Sequence, residues 1–202
     1  MKYKKQGKTD KKSKVAYSAK ECAYIAVFVA LLIATQLVLS SLPGVELVTV
    51  LFVAYAYAFG TARGMIAATS FSLLRQAVFG VYPKVLVLYL VYYNTLACIF
   101  GLIGNKGKTK KQLLFIVLIA CVCTVGFTMF DNVLTPLWYG YTKKAARLYF
   151  QYSLPVLLPQ VVCTAVTTTV LFLPLQTVFS LFAAKGKRLK RDEKNIIIDI
   201  NS

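Results

Sequence analysis

"CAYIAVFVALLIATQLVLSSLPGVE", residues 22–46, carries no charge until its closing glutamate. It is long enough to cross the hydrocarbon core of a bilayer as a helix, which takes about 20 residues. Alanines recur every fourth position, at Ala26, Ala30 and Ala34. That spacing places all three on one helix face, so one stripe of a bulky apolar helix is reduced to methyl groups. The run follows a polar leader and lacks a small-x-small exit, so it is expected to remain as a first span instead of being cleaved as a signal.

The rest of the chain has the same character. Of 202 residues, 58% are hydrophobic and the mean hydropathy is +0.64. A soluble domain of this size needs a polar shell, but most charges here lie at the termini or in short clusters between apolar runs. The net charge of +17 has no stripe-like distribution of the kind that tracks nucleic acid. The five cysteines are scattered and no histidine is present to complete a zinc set with them, so they read as small apolar fillers, and histidine-dependent catalysis is excluded. "GLIGNKGKT", 101–109, fails as a phosphate loop, since Leu102 stands where the first glycine is required. The chain reads as a binding or transport protein with no enzymatic machinery and no cofactor of its own.

Six spans can be drawn, at about 22–42, 45–59, 62–79, 83–103, 112–133 and 155–183. The break between the second and third is "GTARG", 60–64. With six spans, nineteen basic residues fall on one side, in the leader, in the Lys106–Lys111 connection, in the tail and at Arg63. Only Lys84, Lys143, Lys144 and Arg147 fall on the other. Because positive charge is retained inside, both termini are expected to be cytoplasmic. The expected architecture is an all-α integral membrane bundle of six helices. A basic leader (1–20) precedes the transmembrane domain (21–184), and a basic tail (185–202), suited to anionic lipid, follows it. "DNVLTPLWYGYTKKAARLYFQYSLP", 131–155, is expected to be a long outer loop rich in interfacial aromatics. A loop of that length is also able to close over a site as a lid.

Several polar residues share the outer half of this arrangement. Arg75 lies about one turn below the outer end of the third span; it either snorkels or faces the bundle interior to meet an acid or a ligand. Asn94 sits mid-span, as interhelical glue or as a ligand contact. Gln36, Asp131, Asn132 and Gln160 are further candidates, with Trp138 and Tyr139 on the loop and Glu46 at the outer mouth. A pocket collecting them suits a small hydrogen-bonding solute with an aromatic part.

The sequence resembles the substrate-binding membrane subunit, or S component, of energy-coupling factor (ECF) transporters. The likeness rests on the alanine ladder of the first span, on "LPGVELVTVLFVAYAYAFGTARGMIAA" at 42–68 and on "FDNVLTPLWYGY" at 130–141, in that order within a chain of this length. It covers about residues 20–185. It implies high-affinity capture of a vitamin or related micronutrient at the outer face of a bacterial plasma membrane. It implies a membrane-embedded coupling subunit as partner, mounted on two cytoplasmic ATPases. The face bearing Ala26, Ala30 and Ala34 would meet the coupling subunit, residues 42–46 would belong to a gate, and the bound subunit would topple to deliver its cargo. Two other readings stay open on sequence: a self-contained small secondary transporter, and a membrane scaffold or sensor that transports nothing.

Overall fold

A computed structural model describes residues 19–41, 47–104 and 112–200, with side chains up to 184. The leader, Glu46 with the expected gate, and the Lys106–Lys111 connection lie outside the described residues, as do the side chains of the tail. Six helices follow one another: α1 Ala19–Leu39, α2 Val48–Phe59, α3 Thr61–Phe79, α4 Pro83–Gly104, α5 Leu113–Tyr139 and α6 Lys143–Ile200.

Contacts fix their directions. Glu21 at the start of α1 meets Arg63 at the start of α3. Tyr24 meets Phe182, late in α6. Gly101 and Gly104, closing α4, lie against Thr61 and Tyr57. These residues define one end of the bundle, the Arg63 end. At the other, the Arg75 end, the close of α1 meets the close of α3 and the start of α4, and the close of α5 meets the start of α6. The approach of α4 to the α2–α3 junction depends on its two glycines. A methyl group on Gly104 would fall 2.1 Å from the Tyr57 carbonyl oxygen, and one on Gly101 would fall 2.4 Å from the Thr61 nitrogen.

Four helices are long and apolar enough to cross a membrane: α1, α4, α5 and the Lys143–Ala184 part of α6. Of the six expected crossings, those at α2 and α3 are not among these four. The 12 residues of α2 rise only about 18 Å, against a hydrocarbon core of about 30 Å. The sequence "VTVLFVAYAYAF" is apolar all round, as suits a helix enclosed on every side, and nine of its residues are buried. It packs chiefly on α4 and α6. The α3 helix is long enough but carries Thr61, Arg63, Ser72, Arg75 and Gln76 among its apolar residues.

The long outer loop is corrected. α5 continues to Tyr139 and α6 begins at Lys143, so only residues 140–142 connect them. Prolines 136, 155 and 159 lie inside helices. A bundle tolerates them because neighbouring groups satisfy the backbone that proline frees. The break comes at Gly140, in the left-handed region at φ +63°. Its N–H and that of Tyr141 both reach the Pro136 carbonyl, the C-terminal cap that only glycine accepts without strain. Residues 185–200, within the expected basic tail, continue α6 as helix.

The core is aromatic and has two centres. Phe28 stacks on Tyr55 with ring centroids 3.8 Å apart, joined by Phe59 and Phe179 near the Arg63 end. Toward the Arg75 end Phe71, Tyr89, Tyr92, Tyr93 and Phe127 form a second cluster. Phe52 of α2 touches both, through Phe28 and Tyr93.

Candidate functional site

Two features of the expected site can be followed into the structure, a polar assembly at the Arg75 end and the alanine face of α1.

Arg75 is held from three helices. Its Nε donates to Gln36 Oε1 at 3.0 Å, and Gln36 Nε2 donates to the Tyr89 hydroxyl at 2.9 Å. The amide thus uses its acceptor for the cation and its donor for the phenol, which fixes its orientation. The guanidinium carbon also rests 4.4 Å from the Tyr89 ring centroid and 4.8 Å from that of Phe79, within cation–π range. Its Nη1 is buried with no hydrogen-bond partner. Among the described residues, no carboxylate pairs with it.

A second assembly stands on the neighbouring helices. Lys84 Nζ donates to Asp131 Oδ1 at 2.9 Å and to Thr135 Oγ1 at 2.8 Å, and Thr135 Oγ1 donates to Asp131 Oδ1 at 2.9 Å. The Tyr149 hydroxyl donates to Asp131 Oδ2 at 2.5 Å. Asp131 therefore clamps α4, α5 and α6 together, with both of its oxygens engaged. Asn132, beside it and buried, donates to Ser153 Oγ at 2.8 Å while its Oδ1 has no partner. Gln76 accepts the Tyr82 backbone N–H at 2.8 Å, fastening the α3–α4 turn, and its Nε2 is likewise buried without a partner.

The structure thus brings Gln36 and Arg75 into direct contact and puts Asp131 and Asn132 at the same end. Asn94 is half-buried and donates to the Leu90 carbonyl of its own helix at 2.8 Å. Gln160 is half-buried on α6. Trp138 and Tyr139 are exposed at the close of α5. Tyr139 stacks on Tyr141, which meets Tyr149 and so leads back to Asp131. Glu46 lies outside the described residues. Sequence reasoning missed Tyr89, Lys84, Tyr149 and Ser153 as site residues. Lys84 and Asp131 did carry a signal: each is an isolated charge, one opening the fourth span and one closing the fifth, hence at the same level. Among the described residues no cluster of three or more His, Cys, Asp or Glu is placed to hold a metal. What the assembly offers is hydrogen bonding and charge, which suits binding.

The alanine face of α1 points away from the bundle. Ile25, Phe28, Val29 and Leu32 fill the buried stripe, while Ala26, Ala30 and Ala34 are exposed. Beside them a groove of about 260 Å³, lined by Cys22, Ile25, Ala26, Val29, Ile66, Ser70 and Leu74, runs between α1 and α3. The outer stripes of other helices are different. Leu114, Leu118 and Val122 on α5, and Leu158, Val162, Val166 and Val170 on α6, are exposed at four-residue intervals. Those are bulky side chains of the kind that face lipid tails.

Compared with protein-family models, with curated proteins and with solved structures, the chain matches none.

Proposed function

We propose that this chain is the substrate-binding S component of an ECF-type importer in a bacterial plasma membrane, with both termini cytoplasmic and the Arg75 end facing out. It captures a vitamin or related micronutrient there, in a site that includes Gln36 and Arg75. A coupling subunit and two ATPases then drive delivery inward. The observation that carries this reading is the alanine face of α1. Small residues usually serve to bring helices together inside a bundle; these three are turned outward, next to a groove, while the other outer stripes are bulky. A lipid-facing helix gains nothing from such a stripe. A partner helix does, because in the absence of a hydrophobic drive between helices only close backbone approach supplies van der Waals contact.

Ala30→Trp tests this directly. The substitution is expected to abolish co-purification of the coupling and ATPase subunits while leaving the isolated protein folded and monodisperse in detergent. Normal co-purification with Ala30→Trp overturns the assignment. So does uptake by the wild-type chain alone in liposomes, which makes it a self-contained carrier.

A further inference from the structure

We infer that the ligand of this site carries a carboxylate, and that Arg75 is the residue that reads it. The inference rests on the binding role proposed above and narrows it to a class of substrate, a small organic acid with a flat or apolar body.

Arg75 is a half-buried cation that the described residues position without neutralising. Gln36 holds its Nε edge, and the rings of Phe79 and Tyr89 take contacts on its flat faces. What remains is the Nη edge, where Nη1 is buried and unpartnered. A desolvated donor on a charged group is costly to leave open, and among the described residues the nearby polar groups are already in use. Asp131 is committed to Lys84, Thr135 and Tyr149. Gln36 contributes a neutral amide. The Nη edge of a guanidinium offers two parallel N–H groups, the geometry that matches a carboxylate. Because Lys84 and Asp131 cancel, one monoanion completes the charge balance of these groups.

The ring of Tyr89 extends the site from the charge to an apolar wall. It lies 6.1 Å from Phe71 and from Phe127, and 5.4 Å from Tyr93, centroid to centroid. Phe71 and Tyr93 are packed into the core behind it, so the aromatic surface beside an acid held at Arg75 is that of the half-buried Tyr89 and Phe79, enough for a ring or short apolar body. Arg63 on the same helix supplies the internal control. It has the same chemistry, but Glu21 neutralises it, so it has no anion to recruit.

The test uses the full chain in detergent and isosteric acid–amide pairs as probes: benzoate with benzamide, nicotinate with nicotinamide, and inorganic phosphate alone. Thermal unfolding midpoints are read across millimolar concentrations. The acids are expected to raise the midpoint, with a preference over the amides of about tenfold or more in apparent Kd. Arg75→Gln should erase that preference, and Arg75→Lys should keep part of it, since the charge survives and the fork does not. Mass spectrometry of any molecule carried through purification should find an anion. Equal response to acid and amide, acid preference surviving in Arg75→Gln, phosphate matching the carboxylates, no response to any acid, or a neutral retained molecule would each overturn the inference. Acid preference that appears only in Glu46→Gln would do so too, because it would give Arg75 an internal counter-ion. Failure of the importer reading looks different: the partner subunits are absent from the preparation while the acid preference stands.

Discussion

α3 carries two arginines twelve residues apart, about three turns along the same helix, and the bundle treats them differently. Arg63 is closed by Glu21 and locks α1 to α3. Arg75 is aimed by an amide and two rings and has no carboxylate among the described residues. Both tie α3 to α1, so the difference is one of charge. At the Arg63 end the helix's own cation is neutralised and serves to join two helices. At the Arg75 end a positioned cation is left unneutralised by any described carboxylate, and the binding role proposed for Arg75 rests on that difference.

The largest effects should come from breaking completed pairs. Lys84→Met leaves Asp131 partly buried without its cation and should cost about 3 kcal/mol, read as a lowered unfolding midpoint in a mild detergent. Adding Asp131→Asn should recover most of that loss, a double-mutant coupling of about 2 kcal/mol; additive losses would mean that the two residues act separately. Glu21→Ala should cost about 2 kcal/mol, between the values for buried and exposed pairs, since the side chains of Arg63 and Glu21 are 28% and 13% exposed. Gly104→Ala forces a methyl group against the Tyr57 carbonyl and should cost about 2 kcal/mol by overpacking, without touching either arginine. Arg75→Gln comes next, within about 1 kcal/mol of wild type, because an uncompensated cation leaves together with its contacts. A stability loss at Arg75 equal to that at Glu21 would erase the contrast between the two ends. Smallest is Tyr89→Phe, which removes one hydrogen bond to Gln36 while keeping the ring under Arg75, at about 0.6 kcal/mol.

The sequence made the contrast only half visible. Arg75 stood out because an isolated charge within an apolar run is rare, and Gln36 could be placed at its level by counting residues. Tyr89 could not be singled out. In "LVLYLVYYNTL" three tyrosines lie within five residues, and only the packed bundle shows which hydroxyl meets Gln36. Lys84 read only as one of four basic residues on the less charged side, and its pairing with Asp131 depends on two helices being neighbours. The turn at Gly60 was legible from its glycines, as was the small face of α1 from its spacing. The loop over 131–155 was misread because prolines and interfacial aromatics resemble connecting sequence, while lysine, alanine, arginine and leucine at 143–148 are good helix formers. The shortness of α2 was legible as a number of residues but not in meaning, since an apolar run that is enclosed and one that crosses look alike by composition.

That short helix has a consequence for how the protein is built. A segment rising about 18 Å is a poor candidate to halt in a bilayer by itself, and α3 beside it carries two arginines and several hydroxyl groups. The two, bent at Gly60, are therefore expected to enter together as one hairpin. The surfaces that finally enclose α2 belong mostly to α4 and α6, which leave the ribosome later. Until the last helix arrives, the side of α2 that α4, α3 and α1 do not cover stays open, so α6 closes the bundle by covering a helix that was synthesised long before it.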